Sequence, residues 1–558
     1  MAVTLTINGQ SIEASAGRSL FDHAETLGID VPTSCRKQGK CKECMVEVVE
    51  GMDALSAIAE PERHLKGSFR LSCQTCVTAA DGHVRCHTMR RGQMRIERHA
   101  FGLPVGNRAL ALDPAVTRDG DRILIDGIEV DRSTGPILGI AMDLGTTTVV
   151  LRLVDLESGE LIADTSFENP QRFGGSEVMS RIAYDAGHPG RLLMRTLAGY
   201  LSHAIEKFPV DPKTIYEIVV VGNSTMRDLF FRQSVYSIGQ NPYRSITEIE
   251  MAEGKRTTTS LNQTGVQSLL PIHPKARVYG APIISGHVGA DAAACMLAVD
   301  LAHEERLVAV MDIGTNTELI VGNKHRILAA SCPAGPAFEG GAIACGMPAL
   351  DGAIEAVKIA ADGIFRIGVI GDVPPEGICG SGLIDVLSEL LRTGRMNDKG
   401  RFEDDLQRVT LYHDQTAGEG KGIFLQESDV NELAQAKGAN VAGLHAVFST
   451  YGIDFDDIEV FYLAGGFGRN LNVEAAKRIG LVPGIASSRI VQSGNIAIEG
   501  ATIALLSKAR RQELEDLVKR VEHCRLETHP SFFEFFVEGC QFKPVEPIPS
   551  NWPARFPR

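Results

Sequence analysis

One short stretch occurs twice in this chain, and it restricts the fold more than any other feature. The first copy reads GIAMDLGTTTVV at 139–150, the second AVMDIGTNTELI at 309–320. Each is an apolar run ending in Asp, a turn of Gly with hydroxyl or amide residues, and a second apolar run. That pattern predicts two buried strands of a hairpin. Gly lets the main chain come close to a phosphate, and neighbouring N–H groups and hydroxyls donate to its oxygens. An Asp at the strand end suits a hydrated divalent metal. A single Gly-Thr hairpin is unspecific. Two copies predict two lobes whose facing turns clamp one nucleotide. A third glycine-rich turn, VFYLAGGFG at 460–468, again ends an apolar run; alone it reads as a tight strand-to-helix turn.

Taken in this order, the three loops resemble those of the superfamily of sugar kinases, acetate kinases, actin and heat-shock chaperones. The resemblance implies a duplicated, ribonuclease-H-like pair of α/β lobes with ATP between them. It puts Gly145, Thr146, Thr147, Thr148, Gly314, Thr315, Asn316 and Thr317 on the phosphates. Gly465, Gly466 and Gly468 then line the adenosine side, and Asp143 and Asp312 position Mg²⁺ or the attacking water.

With 558 residues the chain is too long for one core. Its net charge of −14 argues against wholesale binding to nucleic acid or an anionic membrane. No charged leader precedes an apolar core and no run has the length of a membrane span, so a cytoplasmic protein is expected. In that setting the 12 cysteines are not a secreted disulfide framework. Half of them, at 35, 41, 44, 73, 76 and 86, crowd the N-terminal part, which points to a metal site.

The N-terminal part opens with alternating residues around Asn8-Gly9, a hairpin signal. A helical segment from Ser19 to Gly28 follows, then the loop Cys35-x5-Cys41-x2-Cys44 and a strand at 45–49. Three close thiolates in a glycine-containing loop, with Cys73 as a distant fourth, suit a two-iron cluster whose sulfides accept loop N–H groups. The rival is zinc held by Cys41-x2-Cys44 and Cys73-x2-Cys76, which leaves Cys35 without a role. The long first gap and the hairpin–helix–loop order resemble the adrenodoxin-like [2Fe-2S] ferredoxins with their β-grasp fold, and LSCQ at 71–74 matches that family's fourth-ligand segment. Cys35, Cys41, Cys44 and Cys73 are then the ligands, while Cys76 and Cys86 are spare. Arg36, Lys37, Lys40 and Lys42 form either a solvated rim or a surface that steers an acidic redox partner.

Further along, NPQ at 169–171, GNSTM at 222–226, AGPAFEG at 334–340, GICGSGLID at 377–385 and LAGGFG at 463–468 form a specific set. Together they resemble the reductive activators of corrinoid-dependent enzymes, in which a ferredoxin-like module is fused to an ATPase of the superfamily above. The resemblance covers residues 1 to about 545. It implies a [2Fe-2S] cluster, ATP and Mg²⁺ as cofactors. The implied partners are a corrinoid protein or corrinoid-dependent methyltransferase and an upstream low-potential electron donor. The implied reaction returns cobalt(II) to cobalt(I) by one-electron transfer. A homodimer is among the assemblies left open.

The expected organisation is a multidomain α/β and α+β chain. A β-grasp domain occupies 1–86, a linker with a small β connector 87–137, ATPase lobe I 138–300, lobe II 301–545, and a tail 546–558. The connector is expected to tether the redox module and set its swing, and the basic run Arg90, Arg91, Arg95, Arg98 and His99 reads as a solvated linker. Cys295, Cys332, Cys345, Cys379, Cys524 and Cys540 read as structural thiols. The stretch from Glu499 to Arg525 reads as helical, and Phe532, Phe533, Phe535, Phe536 and Phe542 as core-facing. Two other functions fit the phosphate turns. One is a small-molecule kinase, for which Glu339, Asp351 or Glu355 offers a catalytic carboxylate. The other is a chaperone-like ATPase that uses the ferredoxin for docking.

Overall fold

The computed structural model describes residues 3–89, 103–104, 112–403, 406–413, 422–466 and 471–547. Arg90, Arg91, Arg95, Arg98, His99, Gly468 and the end of the tail lie outside them. The described chain divides into two compact units, one holding most of the first 280 residues and the other running on from Ala281.

The first unit opens with strands β1 (Val3–Ile7) and β2 (Gln10–Ala14). Their turn takes Asn8 and Gly9 to φ 49° and 80°, the left-handed pair a two-residue hairpin requires. Alternation along β1 buries Val3, Leu5 and Ile7. Helix α1 (Leu20–Thr26) is capped by Ser19, whose hydroxyl accepts from the Asp22 N–H. Strands β3 (Met45–Glu50), β4 (Phe69–Leu71) and β5 (Gly82–Thr88) complete a sheet of order β2-β1-β5-β3-β4 with β1 parallel to β5. This is the β-grasp ferredoxin fold.

A three-stranded meander follows: β6 (Val116–Asp119), β7 (Arg122–Ile125) and β8 (Ile128–Arg132). It is fastened to the next sheet by the Tyr216 hydroxyl, which donates to Asp131 at 2.7 Å, and by an Arg277–Asp126 ion pair.

That next sheet contains β9 (Leu138–Leu144), β10 (Thr148–Asp155), β11 (Leu161–Glu168), β12 (Ile215–Gly222), β13 (Leu261–Thr264) and β14 (Arg277–Gly280), ordered β11-β10-β9-β12-β14-β13. The first three are antiparallel, and β12 runs parallel to β14. Helices α2 (Val178–Gly187), α3 (Leu192–Glu206), α4 (Ser224–Phe230), α5 (Ile246–Ala252) and α6 (Gly265–Ser268) connect the strands. Strand β12 is buried at every position, as a central strand covered on both faces must be. One hydrophobic core runs from Val3 of the β-grasp sheet to Val278 of this one. The redox module is therefore packed onto its neighbour, where a swinging tether was expected.

The second unit repeats the scheme. After α7 (Ala290–Ala298) come β15 (Val308–Ile313), β16 (Thr317–Gly322) and β17 (Ile327–Cys332), again antiparallel. An inserted sheet of β18 (Ala353–Ile359), β19 (Phe365–Val369) and β20 (Gly377–Ile378) leads to α8 (Gly380–Arg392). The hairpin β21 (Arg408–His413) and β22 (Gly422–Gln426) leads to α9 (Glu427–Tyr451). Strand β23 (Val460–Gly465), α10 (Val473–Ile479), β24 (Ile490–Gly494), α11 (Ile496–Leu506), α12 (Lys508–Leu517), β25 (Val521–His523) and α13 (Phe532–Gly539) close the unit. The sheet order is β24-β23-β15-β16-β17-β25, with β23 parallel to β15. The two sheets share the antiparallel triplet whose first strand adjoins a further strand across the sheet, which is the duplicated ribonuclease-H-like plan.

Two local expectations are corrected. The helical stretch after Glu499 is broken at Ser507, which takes extended angles and caps α12 through its side chain, and the chain then re-enters the sheet as β25. Phe535 and Phe542 are buried, but Phe533 is 74% exposed because it lies on the opposite face of α13. Among the described residues no helix is long and apolar enough to cross a membrane.

Candidate functional site

The loop between α1 and β3 carries Cys35, Cys41 and Cys44, and with Cys73, just after β4, these four thiols stand in two pairs. Arg36, Lys37, Gly39 and Lys42 all take positive φ, between 52° and 67°, which turns successive N–H groups toward one side. Gly39 has no alternative: a Cβ there would stand 3.0 Å from Gln74 and Pro61 side-chain atoms.

Cys35 accepts from the N–H groups of Cys41, Lys40 and Gln38 and hydrogen-bonds the Cys41 thiol. Burial pushes it up, but these bonds outweigh that and leave it below the ordinary thiol value. Burial dominates at Cys41 and raises it, although the N–H groups of Glu43 and Ser34 point at its sulfur. In the second pair the Cys44 thiol donates to Cys73. That bond, with burial, raises Cys44. The same bond is the main reason Cys73 falls to about 6, against its burial and helped by Gln74 and the Gly39 N–H. Gln74 Nε2 donates to Cys73 Sγ at 3.3 Å.

The pairing separates the two metal readings. Four thiolates on one zinc stand about 3.8 Å apart in every combination, given Zn–S bonds of ~2.3 Å. Among the described residues no three cysteine sulfurs, that of Cys76 included, lie mutually within 4.8 Å. Two pairs, Cys35 with Cys41 and Cys44 with Cys73, are what two irons with two thiolates each require. Inward N–H groups suit the sulfides of such a cluster. The donor set therefore fits a [2Fe-2S] group. Cys76 is held through its main chain by Ser56 and makes no sulfur hydrogen bond among the described residues. Cys86 is a buried residue of β5, its thiol raised to about 12 by burial. Of the basic rim, Lys37 pairs with Asp22 and Glu25, and Lys42 donates to the Pro61 carbonyl, so Arg36 and Lys40 are the exposed members.

The Cys73 segment is pinned by a buried ion pair that sequence reasoning did not assign. Arg70, 2% exposed, holds Glu62, which also accepts from the Leu71 N–H at 3.0 Å and the Thr75 hydroxyl at 2.9 Å. Burial raises Glu62, but Arg70 and the N–H groups of Ala59 and Leu71 prevail and lower it.

The first predicted phosphate turn lies between β9 and β10. The Gly145 N–H donates to the Thr148 carbonyl at 3.0 Å, and a Cβ on Gly145 would stand 2.5 Å from that oxygen. Asn169, from the NPQ segment, donates its side-chain amide to the Gly145 carbonyl and its N–H to the Thr147 carbonyl. Thr146 is buried, while Asp143, Thr147 and Thr148 are partly exposed.

The second turn, between β15 and β16, has the same build with richer chemistry. Thr315 donates its hydroxyl to Glu339, so this carboxylate does reach the turn. Asp312 stands opposite Glu318 in the strand register, and Cys295 of α7 donates its thiol to Asp312 at 3.7 Å. Cys295, read as purely structural, thus touches a predicted functional carboxylate. Glu318 is fully buried. That burial, followed by the charges of Asp291 and Asp312, raises its carboxyl well above the ordinary range, against the Ser331 hydroxyl at 3.1 Å. The charges of Asp291 and Asp312 reach Glu318 without the three carboxyl groups gathering: among the described residues their oxygens do not all lie within 4.8 Å of one another. Asp291 and Glu318 were in view in the sequence but carried no assigned role.

Gly465 ends β23 beside Ile313, on the strand next to Asp312. Its φ is 117°, and a Cβ would lie 2.2 Å from the Ile313 carbonyl oxygen. The third glycine turn, with Gly466 next in line, therefore opens at the same sheet end as the second phosphate turn, where open α/β sheets take ligands. Asp351 lies against Gly371, in the turn after β19, where a Cβ would stand 2.7 Å from its Oδ1.

Comparison with known proteins gives a consistent account along the whole chain. Residues 4–78 match the 2Fe-2S iron-sulfur cluster binding domain, 138–304 the RACo middle region, and 306–551 the C-terminal domain of RACo, the ASKHA domain. The corrinoid activation enzyme RamQ of Eubacterium limosum is 30% identical, over 97% of this chain and 99% of that protein. The Co(II) methylated amine-specific corrinoid protein reductase of Methanosarcina barkeri is 27% identical, over 72% of this chain and 76% of that one. A solved structure of a reductive activator for corrinoid, iron-sulfur protein superposes with a TM-score of 0.72 at 25% identity, over 98% of this chain and 99% of that one.

Proposed function

The chain belongs to the family of iron–sulfur reductases that activate corrinoid proteins, and from that premise we propose that it returns a cobalt(II) corrinoid protein to cobalt(I), one electron at a time, with ATP driving the step. The observation that carries this reading is the pairing of Cys35 with Cys41 and Cys44 with Cys73, where N–H groups of the thiol loop turn toward the sulfurs. A [2Fe-2S] cluster bound there supplies a one-electron carrier.

The chain's own residues divide the remaining work. Gly145 to Thr148 and Gly314 to Thr317 offer N–H and hydroxyl donors to the phosphates of ATP. Asp143 and Asp312 hold Mg²⁺ or its water, with Asp291 and Glu318 completing the acidic set around Asp312. Glu339 orients Thr315. Gly465 and Gly466 line the adenosine side. Nucleotide binding then favours one arrangement of the protein, which makes an otherwise unfavourable transfer proceed. The partner is a corrinoid protein or a corrinoid-dependent methyltransferase, and an upstream low-potential donor supplies electrons. The free thiols suit a reducing cytoplasm.

The test is anaerobic. Reduced protein is mixed with a cobalt(II) corrinoid protein, and cobalt(I) absorbance is followed with and without Mg-ATP. Cobalt(I) formation that requires the nucleotide supports the proposal. Formation indifferent to nucleotide removes the role of ATP, and none with either removes the reductase reading.

A further inference from the structure

Glu43 sits between two of the four thiols, yet it also reaches another domain. Although a carboxylate, it is only 6% exposed. The Ser34 hydroxyl donates to Oε1 at 2.6 Å, and His203 Nε2 stands 3.1 Å from Oε2. The Tyr200 hydroxyl donates to its main-chain carbonyl at 2.7 Å. Tyr200 and His203 are neighbours on one face of α3, and Gly199 supplies the clearance. A Cβ at Gly199 would stand 2.8 Å from both Cγ and Oε1 of Glu43. Three consecutive features of one helix are thus shaped to a single residue of the thiol loop.

The surrounding contacts agree. The Tyr184 hydroxyl donates to the His64 carbonyl at 2.8 Å, Arg172 faces Glu47 at 3.5 Å, and Lys207 pairs with Asp30. The other end of α3 packs on Pro170–Gly174, where a Cβ on Gly174 would stand 2.7 Å from Leu193. That segment follows directly on Asn169, which braces the first phosphate turn.

We propose that Glu43 is a positioning residue: through it, helix α3 of the nucleotide-binding part clamps the cysteine loop and sets the environment of the metal group. The proposal rests on the reading of Cys35, Cys41, Cys44 and Cys73 as ligands. It assigns two separable effects to one side chain. The shape and hydrogen bonds of Glu43 keep the loop closed. Its negative charge makes the reduced, more negative state of the centre harder to reach.

The experiment uses the full chain after anaerobic reconstitution, comparing wild type with Glu43→Gln, Glu43→Ala, His203→Phe and Gly199→Ala. Readouts are iron per chain, the rate of visible bleaching by a chelator, the reduction midpoint and the electron paramagnetic resonance spectrum of the reduced protein. Glu43→Gln keeps the shape, so bleaching stays near the wild-type rate while the midpoint moves to a less negative value. Glu43→Ala and Gly199→Ala bleach about tenfold faster or more, in line with the cost of losing a ligand's supporting contact, and their spectra change. His203→Phe falls between. A wild type with two irons whose variants match it in bleaching, midpoint and spectrum overturns the clamp and leaves the ligand assignment standing. A wild type that takes up no iron overturns the assignment and the clamp with it.

Discussion

The side-chain amide of Asn169 donates to the main-chain carbonyl of Gly145 at 2.8 Å. Its own N–H meets the carbonyl of Thr147 at 2.7 Å. One residue thereby braces the first predicted phosphate turn at both Gly145 and Thr147. Asn169→Ala deletes the side-chain bond, which is worth about 1 kcal/mol or somewhat more when buried. Nucleotide affinity, measured by calorimetry, is expected to drop about tenfold, with the visible spectrum of the iron centre unaltered. Asn169→Asp should do no better, because a carboxylate cannot donate to a carbonyl.

Asp312 lies at the end of β15, opposite Glu318 and within reach of the Cys295 thiol. If it holds the cation, Asp312→Ala abolishes ATP turnover, a fall of about a hundredfold or more for a lost charge-stabilising contact. The iron content and spectrum stay as in wild type, since the four thiols belong to the other unit. Turnover that survives the substitution would remove Asp312 from the site.

Cys73 and Cys76 are near neighbours in sequence with opposite expected consequences. Cys73 shares a hydrogen bond with Cys44, whereas Cys76 is tied to Ser56 by main-chain bonds. Cys76→Ser should retain two irons per chain after anaerobic loading. Cys73→Ser should lose most of them or return a shifted spectrum. Equal loss in both would reopen the choice of fourth ligand.

What the sequence disclosed, it disclosed locally. Asn8-Gly9, the Cys35–Cys44 spacing and the twin Asp-Gly-Thr turns each lie within a few residues, so their geometry follows from the residues themselves. The contacts it hid join distant positions. Glu43 and His203 are 160 residues apart, and each alone reads as an ordinary surface residue. The charge of Asp291 reaches Glu318 only because a helix and a strand converge. Phe533 and Phe535 differ by two positions, yet that step carries a helical residue from one face to the other. Ser507 has ordinary helical neighbours on both sides, and its extended angles go with a bridge to the distant Asp113.

Arg70 is buried against Glu62, with further bonds to the carbonyls of Ser56 and Ala57. Removing one partner of such a pair leaves an uncompensated charge, at a cost of about 3–5 kcal/mol. Arg70→Leu is therefore expected to lower the melting temperature and to shed iron on mild warming, because Glu62 also holds the Leu71 N–H two residues before Cys73. Adding Glu62→Gln in the same chain should recover part of the loss, and that recovery is read from paired thermal melts.

Lys437 stands in the middle of α9 with 1% exposure, its ammonium 5.8 Å from the Phe542 ring. Cys540, Lys543, Glu538 and His445 are charged or titratable groups that face it. Burial pulls its amine down to about 7, from an ordinary value of 10.5. Between these two values the unfolded chain binds a proton that the folded chain does not. Stability contributed by this group therefore rises with pH across the window, and below about 7 the full cost of burying the charge is present. Lys437→Met removes that cost while keeping most of the volume. At pH 6 to 7 the variant should be more stable by an amount on the order of a few kcal/mol, and the advantage should shrink steadily as the pH approaches 10. Thermal melts of both proteins over that range measure it. A gap that does not change with pH would mean that the folded lysine keeps its ordinary hold on the proton, its charge satisfied by the groups around it.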